Sequence, residues 1–268
     1  MLQTATDTRS PTHGKFIWCE LMTSDTAAAG AFYSSVIGWN INEMSMGEGP
    51  SYYLFEIGKG DKCPGIGGMM AFPPELEGQM PPNWTAYVCV DDVDLTAGDY
   101  VANGGSVKRP PEDIPGIGRF AVVADPHGAV LCVMTPAPMD DMPAPPPEGS
   151  PGTVGWHELY AGDMEEAFGF YGRIFGWTKD HDFDMGAMGV YRIFVEHGKA
   201  VGGMMTKREG VPFWSYYFNV DGLDAAMQRV RDGGGKVVEG PMEVPGNAWI
   251  AQCTDPQGAF FCMVSMAR

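Results

Sequence analysis

The chain has 268 residues, 44% hydrophobic and 19% charged, a balance that excludes wholesale disorder and, at about 100 to 200 residues per domain, suggests two folded units. Its 34 acidic against 17 basic side chains give a formal net charge of -17, which repels phosphate backbones and anionic lipid, so neither nucleic acid nor a membrane surface is an expected partner. No apolar run reaches the ~18 residues of a spanning helix, and the polar start MLQTATDTRSPTHG lacks an export signal, so residues 1–13 read as a disordered tail and the location as cytoplasmic.

The first structured segment alternates, with Phe16, Trp18 and Glu20 on one face and Ile17, Cys19 and Leu21 on the other, which is strand periodicity. A helix follows: Ser24 or Asp25 caps it, Ala28, Phe32 and Val36 share a face, and Gly38 ends it. Strand-like runs come next at SYYLFEIG and GIGGMM, then NWTAYVCV and the helical DVDLTAGDYVANGG. The hairpin FAVVADPHGAVLCVM closes the unit, its turn supplied by Asp-Pro-His-Gly. The order is β-α-β-β-β written twice. After TPAPMDDMPAPPPEGSPG, whose prolines remove backbone donors and favour extended geometry, the whole series recurs.

The recurrence is ordered along the chain. At an offset of 138, Trp18, Glu20, Leu21, Phe32, Tyr33, Gly38 and Trp39 fall on Trp156, Glu158, Leu159, Phe170, Tyr171, Gly176 and Trp177. The offset drops to 135 at GGMM and to 130 from Pro82 onward, as loops of different length require. Domains are therefore expected at 14–135 and 152–268, with a proline-rich linker at 136–151. Of the six cysteines only Cys132 and Cys262 recur, whereas Cys19, Cys63, Cys89 and Cys253 face other residue types. A disulfide framework would be duplicated with its domain, so reduced thiols are expected, and no CxxC pattern marks a zinc site.

D-x6-FY-x4-GW after the first strand (Asp25, Phe32, Tyr33, Gly38, Trp39) and DPxGA in the last hairpin (Asp125, Asp255) both occur twice, and together with the element order they resemble the vicinal oxygen chelate superfamily. That group includes glyoxalase I, bleomycin-resistance proteins and extradiol dioxygenases. The resemblance implies an α+β fold of two tandem domains, each of paired βαβββ modules with curled mixed sheets forming a cleft. In catalytic members it also implies a divalent metal held by His, Gln or Glu on the first strand of each module and Glu on the last. Here those stations carry Trp18 and Trp156, Thr85 and Ser215, and Cys132 and Cys262, with Met69 and Met204 at the end of the fourth strand. Indole offers no lone pair to a metal, hydroxyls are poor sole ligands, and thioethers suit copper(I), so no metal and no other cofactor is expected.

Period-2 logic points Glu20 and Glu158 the same way as Trp18 and Trp156, into the cleft, where a buried carboxylate beside indole could act as a general base. These two are the catalytic candidates; the plainer alternative pairs them with an arginine such as Arg119 or Arg173. Trp18, Trp156, Tyr87, Tyr217, Thr85, Ser215, Cys132 and Cys262 are the ligand-binding candidates. His157 should face the helix side as a hydrogen-bonded core histidine, and His127 reads as a solvated turn residue. Three functions stay open: binding or detoxification of a small organic molecule without a metal; a metal-dependent lyase or dioxygenase using displaced ligands such as Glu20, Glu158 and His157; and a scaffold or regulatory protein whose cups have lost their ligands. With four modules in one chain, a monomer and a homo-oligomer are both compatible.

Overall fold

The computed structural model describes residues 9–44, 51–58, 63–138, 143–207 and 209–268. The first half runs β1 (Phe16–Thr23), α1 (Thr26–Val36), β2 (Asn40–Met44), β3 (Tyr52–Glu56), β4 (Gly65–Ala71), β5 (Asn83–Cys89), α2 (Val93–Ala102), β6 (Ser106–Ile114), β7 (Gly118–Ala124) and β8 (Val130–Pro136). The second half repeats it as β9 (Val154–Ala161), α3 (Met164–Phe175), β10 (Thr178–Asp184), β11 (Val190–Glu196), β12 (Lys199–Thr206), β13 (Phe213–Asn219), α4 (Leu223–Asp232), β14 (Lys236–Val244), β15 (Ala248–Thr254) and β16 (Phe260–Ser265), with a 3-10 turn at Gly186–Met188.

Each half forms one mixed eight-stranded sheet, in the orders β2-β3-β4-β1-β5-β8-β7-β6 and β10-β11-β12-β9-β13-β16-β15-β14. The first strands of the two modules, β1 and β5, pair antiparallel at the centre, and β9 and β13 do the same. The edge strands β6 and β14 tolerate Pro110, Pro111 and Pro241 because register shifts break the ladder there and one side needs no partner. Helix caps follow the expected chemistry: Asp25 accepts from the Ala28 N–H, Asp92 from Leu95 and Asp163 from Glu166. The buried face of α1 is set by Ala29, Gly30, Phe32, Tyr33 and Val36, so Ala29 and not the expected Ala28 lies at its centre.

One face of each sheet carries the helices, and the two halves press these faces together. The contact uses the FY-x4-GW residues. Tyr33 Oη donates to Asp255 Oδ2 at 3.1 Å across the interface, and Tyr171 Oη donates to Asp125 Oδ2 at 3.2 Å in the reciprocal direction. Within each half an indole completes the set: Trp84 Nε1 donates to Tyr33 Oη and Trp214 Nε1 to Tyr171 Oη. Trp39 Nε1 reaches the Gly152 carbonyl and Trp177 Nε1 the Gly14 carbonyl, again reciprocally. The two aspartates therefore have a double duty, since each also accepts backbone N–H groups of its own Asp-Pro-x-Gly turn.

The expected disordered tail lies in part, residues 1–8, outside the described residues. Residues 9–13 are anchored: His13 is buried, its Nε2 stands 3.0 Å from the Ile174 carbonyl, and the Ser10 N–H donates to Asp91. A polar segment docks here because its groups find partners on both halves. Residues 139–142 of the expected linker also lie outside the described residues. The interface sets a measurable expectation. Tyr33→Phe strands a buried Asp255 oxygen and the Trp84 N–H, and should cost about 1–3 kcal/mol in urea unfolding; a variant as stable as the wild type would show that the bond carries no stability.

Candidate functional site

The opposite face of each sheet, away from the helices, holds a constellation written twice. On β1, Trp18 and Glu20 stand two residues apart and pair across the central ladder with Tyr87 and Thr85 of β5. On β9, Trp156 and Glu158 pair with Tyr217 and Ser215 of β13. Parallel pairing then sets Cys132 beside Tyr87 and Cys262 beside Tyr217. The expected site residues are thus all brought onto one face.

Two further residues belong there. Trp156 Nε1 donates to Tyr191 Oη at 2.8 Å, and Tyr191 Oη donates to Glu158 Oε1 at 2.8 Å; Tyr217 Oη donates to Glu158 Oε2 at 2.7 Å. In the first half Trp18 Nε1 donates to Tyr52 Oη at 2.9 Å and Tyr87 Oη to Glu20 Oε1 at 3.1 Å, with the Tyr52 hydroxyl also facing that carboxylate. Tyr52 and Tyr191 arrive from β3 and β11. They lie across Gly68 and Gly203: a Cβ there would meet the tyrosine rings at 2.4 Å and 2.2 Å. A Cβ on Gly67 would collide with the Cys19 carbonyl and thiol, and one on Gly202 with the His157 carbonyl and the Phe194 ring, which explains the recurrent Gly-Gly of GGMM. The sequence signal was available at an offset of 139, where Tyr52, Leu54 and Phe55 fall on Tyr191, Ile193 and Phe194.

The two carboxylates sit differently. Glu158 is 7% exposed, both its oxygens are engaged, and the hydroxyl of Tyr160, which accepts from Gln252 Nε2 at 3.0 Å, also faces it. Glu20 keeps partial solvent contact, and Met22 occupies the place of Tyr160. Burial raises the pKa of Glu20, opposed by the Tyr52 and Tyr87 hydroxyls and then by the positive charge of Arg109. Neither glutamate meets the arginines expected as partners. Arg119 pairs with Asp94 and Asp113, and Arg173 reaches Asn103.

Burial pushes the Cys132 and Cys262 thiols far above neutral pH, so they line the face as small apolar groups. Met69 and Met204, placed at a ligand station by the family pattern, instead lie in the helix-side core, 1% and 0% exposed, because they pair with Leu21 and Leu159 and share their face. His157 also points to the helix side, its ring stacked on Phe16 at 3.7 Å and its Nδ1 3.0 Å from the Val201 carbonyl. It cannot join Glu158 around one ion. His127 is more than a solvated turn residue: Nε2 lies 2.8 Å from Glu166 Oε2 of the other half. The six cysteines form no disulfide.

The face opens into a cavity of about 550 Å³ in the second half, bounded by Tyr160, Met188, Met205, Lys207, Phe213, Gln252 and Phe260. Tyr160 and Phe213 are a cross-strand pair, stacked at 4.8 Å, Phe260 meets Phe213 edge-on at 5.8 Å, and Lys207 Nζ lies 4.6 Å from the Phe213 ring. The first half has Met22, Asn83, Val122 and Val130 at the matching places. There Tyr87, Phe120, Cys132 and Met134 pack together with Trp18, Ile114 and Ile117 as a separate apolar cluster.

Comparison with known proteins agrees with this architecture. The family model of the glyoxalase/bleomycin resistance protein/dioxygenase superfamily matches residues 153–263, and that of the bleomycin resistance protein-like N-terminal region matches residues 15–58. CFP32 of Mycobacterium tuberculosis, provisionally named a glyoxylase, is 32% identical over 252 residues, covering 93% of this chain and 94% of that protein. The chain belongs to the glyoxalase/bleomycin resistance protein/dioxygenase superfamily. The anthracycline biosynthesis protein DauV of a Streptomyces species is 30% identical over 263 residues, covering 93% and 92%. Among solved structures, the Mn(II)-bound glyoxalase of Novosphingobium aromaticivorans superimposes with a TM-score of 0.65 at 16% identity, covering 96% of this chain and 83% of that one. A homoprotocatechuate 2,3-dioxygenase variant from B. fuscum gives 0.63 at 13%, covering 95% and 72%. These two show the fold.

The superfamily's metal does not fit the donors of this face. Each sheet face offers one carboxylate, already accepting from tyrosine hydroxyls, beside indole, hydroxyl and buried thiol, and among the described residues no three His, Cys, Asp or Glu side chains converge. No helix among the described residues is long and apolar enough to cross a membrane.

His157 sets a pH expectation. Burial lowers its pKa from 6.5 to about 4, so the unfolded chain takes up the proton first as the pH falls. Its contribution is complete above pH 6.5 and is lost as the pH drops toward 4, by about 3 kcal/mol in all. The stability difference between wild type and His157→Asn, measured by denaturation at pH 7, 5.5 and 4, should shrink across that window; a constant difference would refute it.

Proposed function

We propose that this protein binds a small, flat organic molecule on the cleft face, without a resident metal. The observation that carries the reading is the cavity beside Glu158, where three aromatic rings and two thioethers form the wall and Tyr160, Gln252 and Lys207 supply the few polar contacts. An apolar, polarisable wall with sparse polar groups is what a planar ligand requires for burial and orientation. Trp156, Tyr191, Tyr217, Glu158, Ser215 and Cys262 share the sheet face of Tyr160 but lie outside the cavity lining; Trp18, Glu20, Tyr52, Thr85, Tyr87 and Cys132 are their counterparts. The name of DauV suggests a polycyclic aromatic of the anthracycline class as a probe. The ligand is taken up in the cytoplasm on this reading, in keeping with six cysteines that form no disulfide.

Isothermal titration with an anthracycline should show saturable binding that Phe213→Ala weakens at least tenfold, since a stacked ring is removed from the wall. Protein purified without chelator should carry well under one equivalent of metal. Absence of binding, or stoichiometric manganese, iron, nickel or zinc, would overturn the proposal.

A second reading rests on Glu20. A carboxylate with a raised pKa that keeps solvent contact is suited to accept a proton from carbon beside a carbonyl, and Arg109 and the tyrosine hydroxyls are placed to steady the charge. In that case a 2-oxoaldehyde thiol adduct is consumed by metal-free protein, and Glu20→Gln lowers kcat at least a hundredfold with little change in KM. Equal turnover by the variant excludes Glu20 as the base.

A further inference from the structure

The helix side of the first half holds a groove whose counterpart in the second half is filled by side chains. In the second half Phe168 of α3 lies against the sheet and the Arg192 guanidinium covers it, 4.9 Å from the ring. Glu165 holds Arg192 through both oxygens at 2.6 and 2.7 Å, and Asp182 through two more contacts at 2.9 and 3.0 Å. Ring, guanidinium and carboxylates together form a plug. Arg192 is only 6% exposed.

Helix caps and strand register identify the matching residues of the first half. Counting from Asp25 and Asp163, Gly30 stands where Phe168 stands and Ala27 where Glu165 stands. Tyr53 pairs with Glu43 as Arg192 pairs with Asp182. Ring and cation are therefore both missing; Glu43 keeps the register position of Asp182 but accepts from Ser51 Oγ and does not line the groove, whereas Glu56, which accepts from Asn42 Nδ2, is added at the rim. What remains is a groove of about 770 Å³ between α1 and β2–β4, floored by Met69 and Ile41 and walled by Tyr53 and Glu56. A Cβ on Gly30 would touch only the Met69 methyl at 3.0 Å and Ile41 at 3.6 Å, so the helix accommodates a side chain there and the space is not forced by backbone crowding. Among the described residues that line the groove there is no lysine or arginine.

We propose that this groove is a second ligand site, separate from the cleft, for a small aromatic cation: an aryl ring joined by a short chain to a guanidinium or amine. The ring takes the place of Phe168 on Met69 and Ile41, and the cation lies between Tyr53, which stands at the position of Arg192, and the Glu56 carboxylate. Tyr53 adds a face for cation–π contact. The molecule's formal charge of -17 favours such a ligand over an anion.

The probe is 2-phenylethylguanidine, titrated into the full chain by calorimetry with saturation-transfer NMR. One equivalent should bind, with the ring protons saturated from the protein, and affinity should fall as salt rises. Gly30→Phe, which rebuilds the plug, should weaken binding at least tenfold; Glu56→Gln should weaken it several-fold. Tyr53→Arg, which supplies an internal guanidinium, should abolish it and covers the case in which the Gly30 variant does not fold. Phe213→Ala should leave it unchanged, which separates this site from the cleft. No saturable binding, or binding that survives both Glu56→Gln and Tyr53→Arg, overturns the proposal.

Discussion

Four carboxylates, three buried and Glu20 partly so, organise this molecule, because an acceptor that loses its hydration must be given donors by the protein. Asp125 and Asp255 sit on the helix side and receive tyrosine hydroxyls from the opposite half. Glu20 and Glu158 sit on the cleft side and receive tyrosine hydroxyls from their own sheet. The first pair joins two sheets into one body, and the second fixes what each open face can do. Both sets depend on phenols that carry a hydrogen-bond donor at the end of a rigid apolar ring, so each contact buries hydrophobic area and satisfies charge together.

Much of this was legible from the chain. The duplication, the order of elements and the facing of Trp18, Glu20, Tyr87 and their copies follow from period-2 alternation and from motifs that recur at stepped offsets. Tyr52 and Tyr191 were harder to find, since their role depends on two strands' separation in the sheet and on glycines that leave room for a ring. The strands β2, β6, β10 and β14 carry few apolar residues and lie at or near sheet edges, so alternation gives little signal for them. Met69 and Met204 illustrate a one-residue hazard. In a strand a shift by one reverses the face, and these thioethers lie in the core while Met205, their neighbour, lines the cavity.

The FY-x4-GW motif shows why a pattern can be recognised long before its purpose is. From the sequence it reads as a buried helix end followed by a strand. In the folded chain Tyr33, Trp39, Tyr171 and Trp177 all bond across to the other half. Burial is visible in composition, whereas the identity of the surface that does the burying is a tertiary fact. The same holds for Phe16 and His157, one from each half, whose rings stack at the interface, where burial lowers the pKa of the imidazole.

Duplication also lets each copy serve as a control for the other. The scaffold, the caps, the roofed glycines and the Trp–Tyr–Glu–Tyr set are shared, so they answer to the demands of the fold or of a common face. The differences are then the informative part. Tyr160, Phe213, Gln252 and Phe260 give the second half an aromatic cavity where the first half carries Met22, Asn83, Val122 and Val130. The added phenol of Tyr160 faces the buried Glu158, while Glu20, with Met22 at the matching place, keeps partial solvent contact. A carboxylate with both oxygens engaged serves as part of a wall; one that water can reach can still exchange a proton. On the second reading proposed above, the two clefts have separated these roles, holding in the second half and proton transfer in the first.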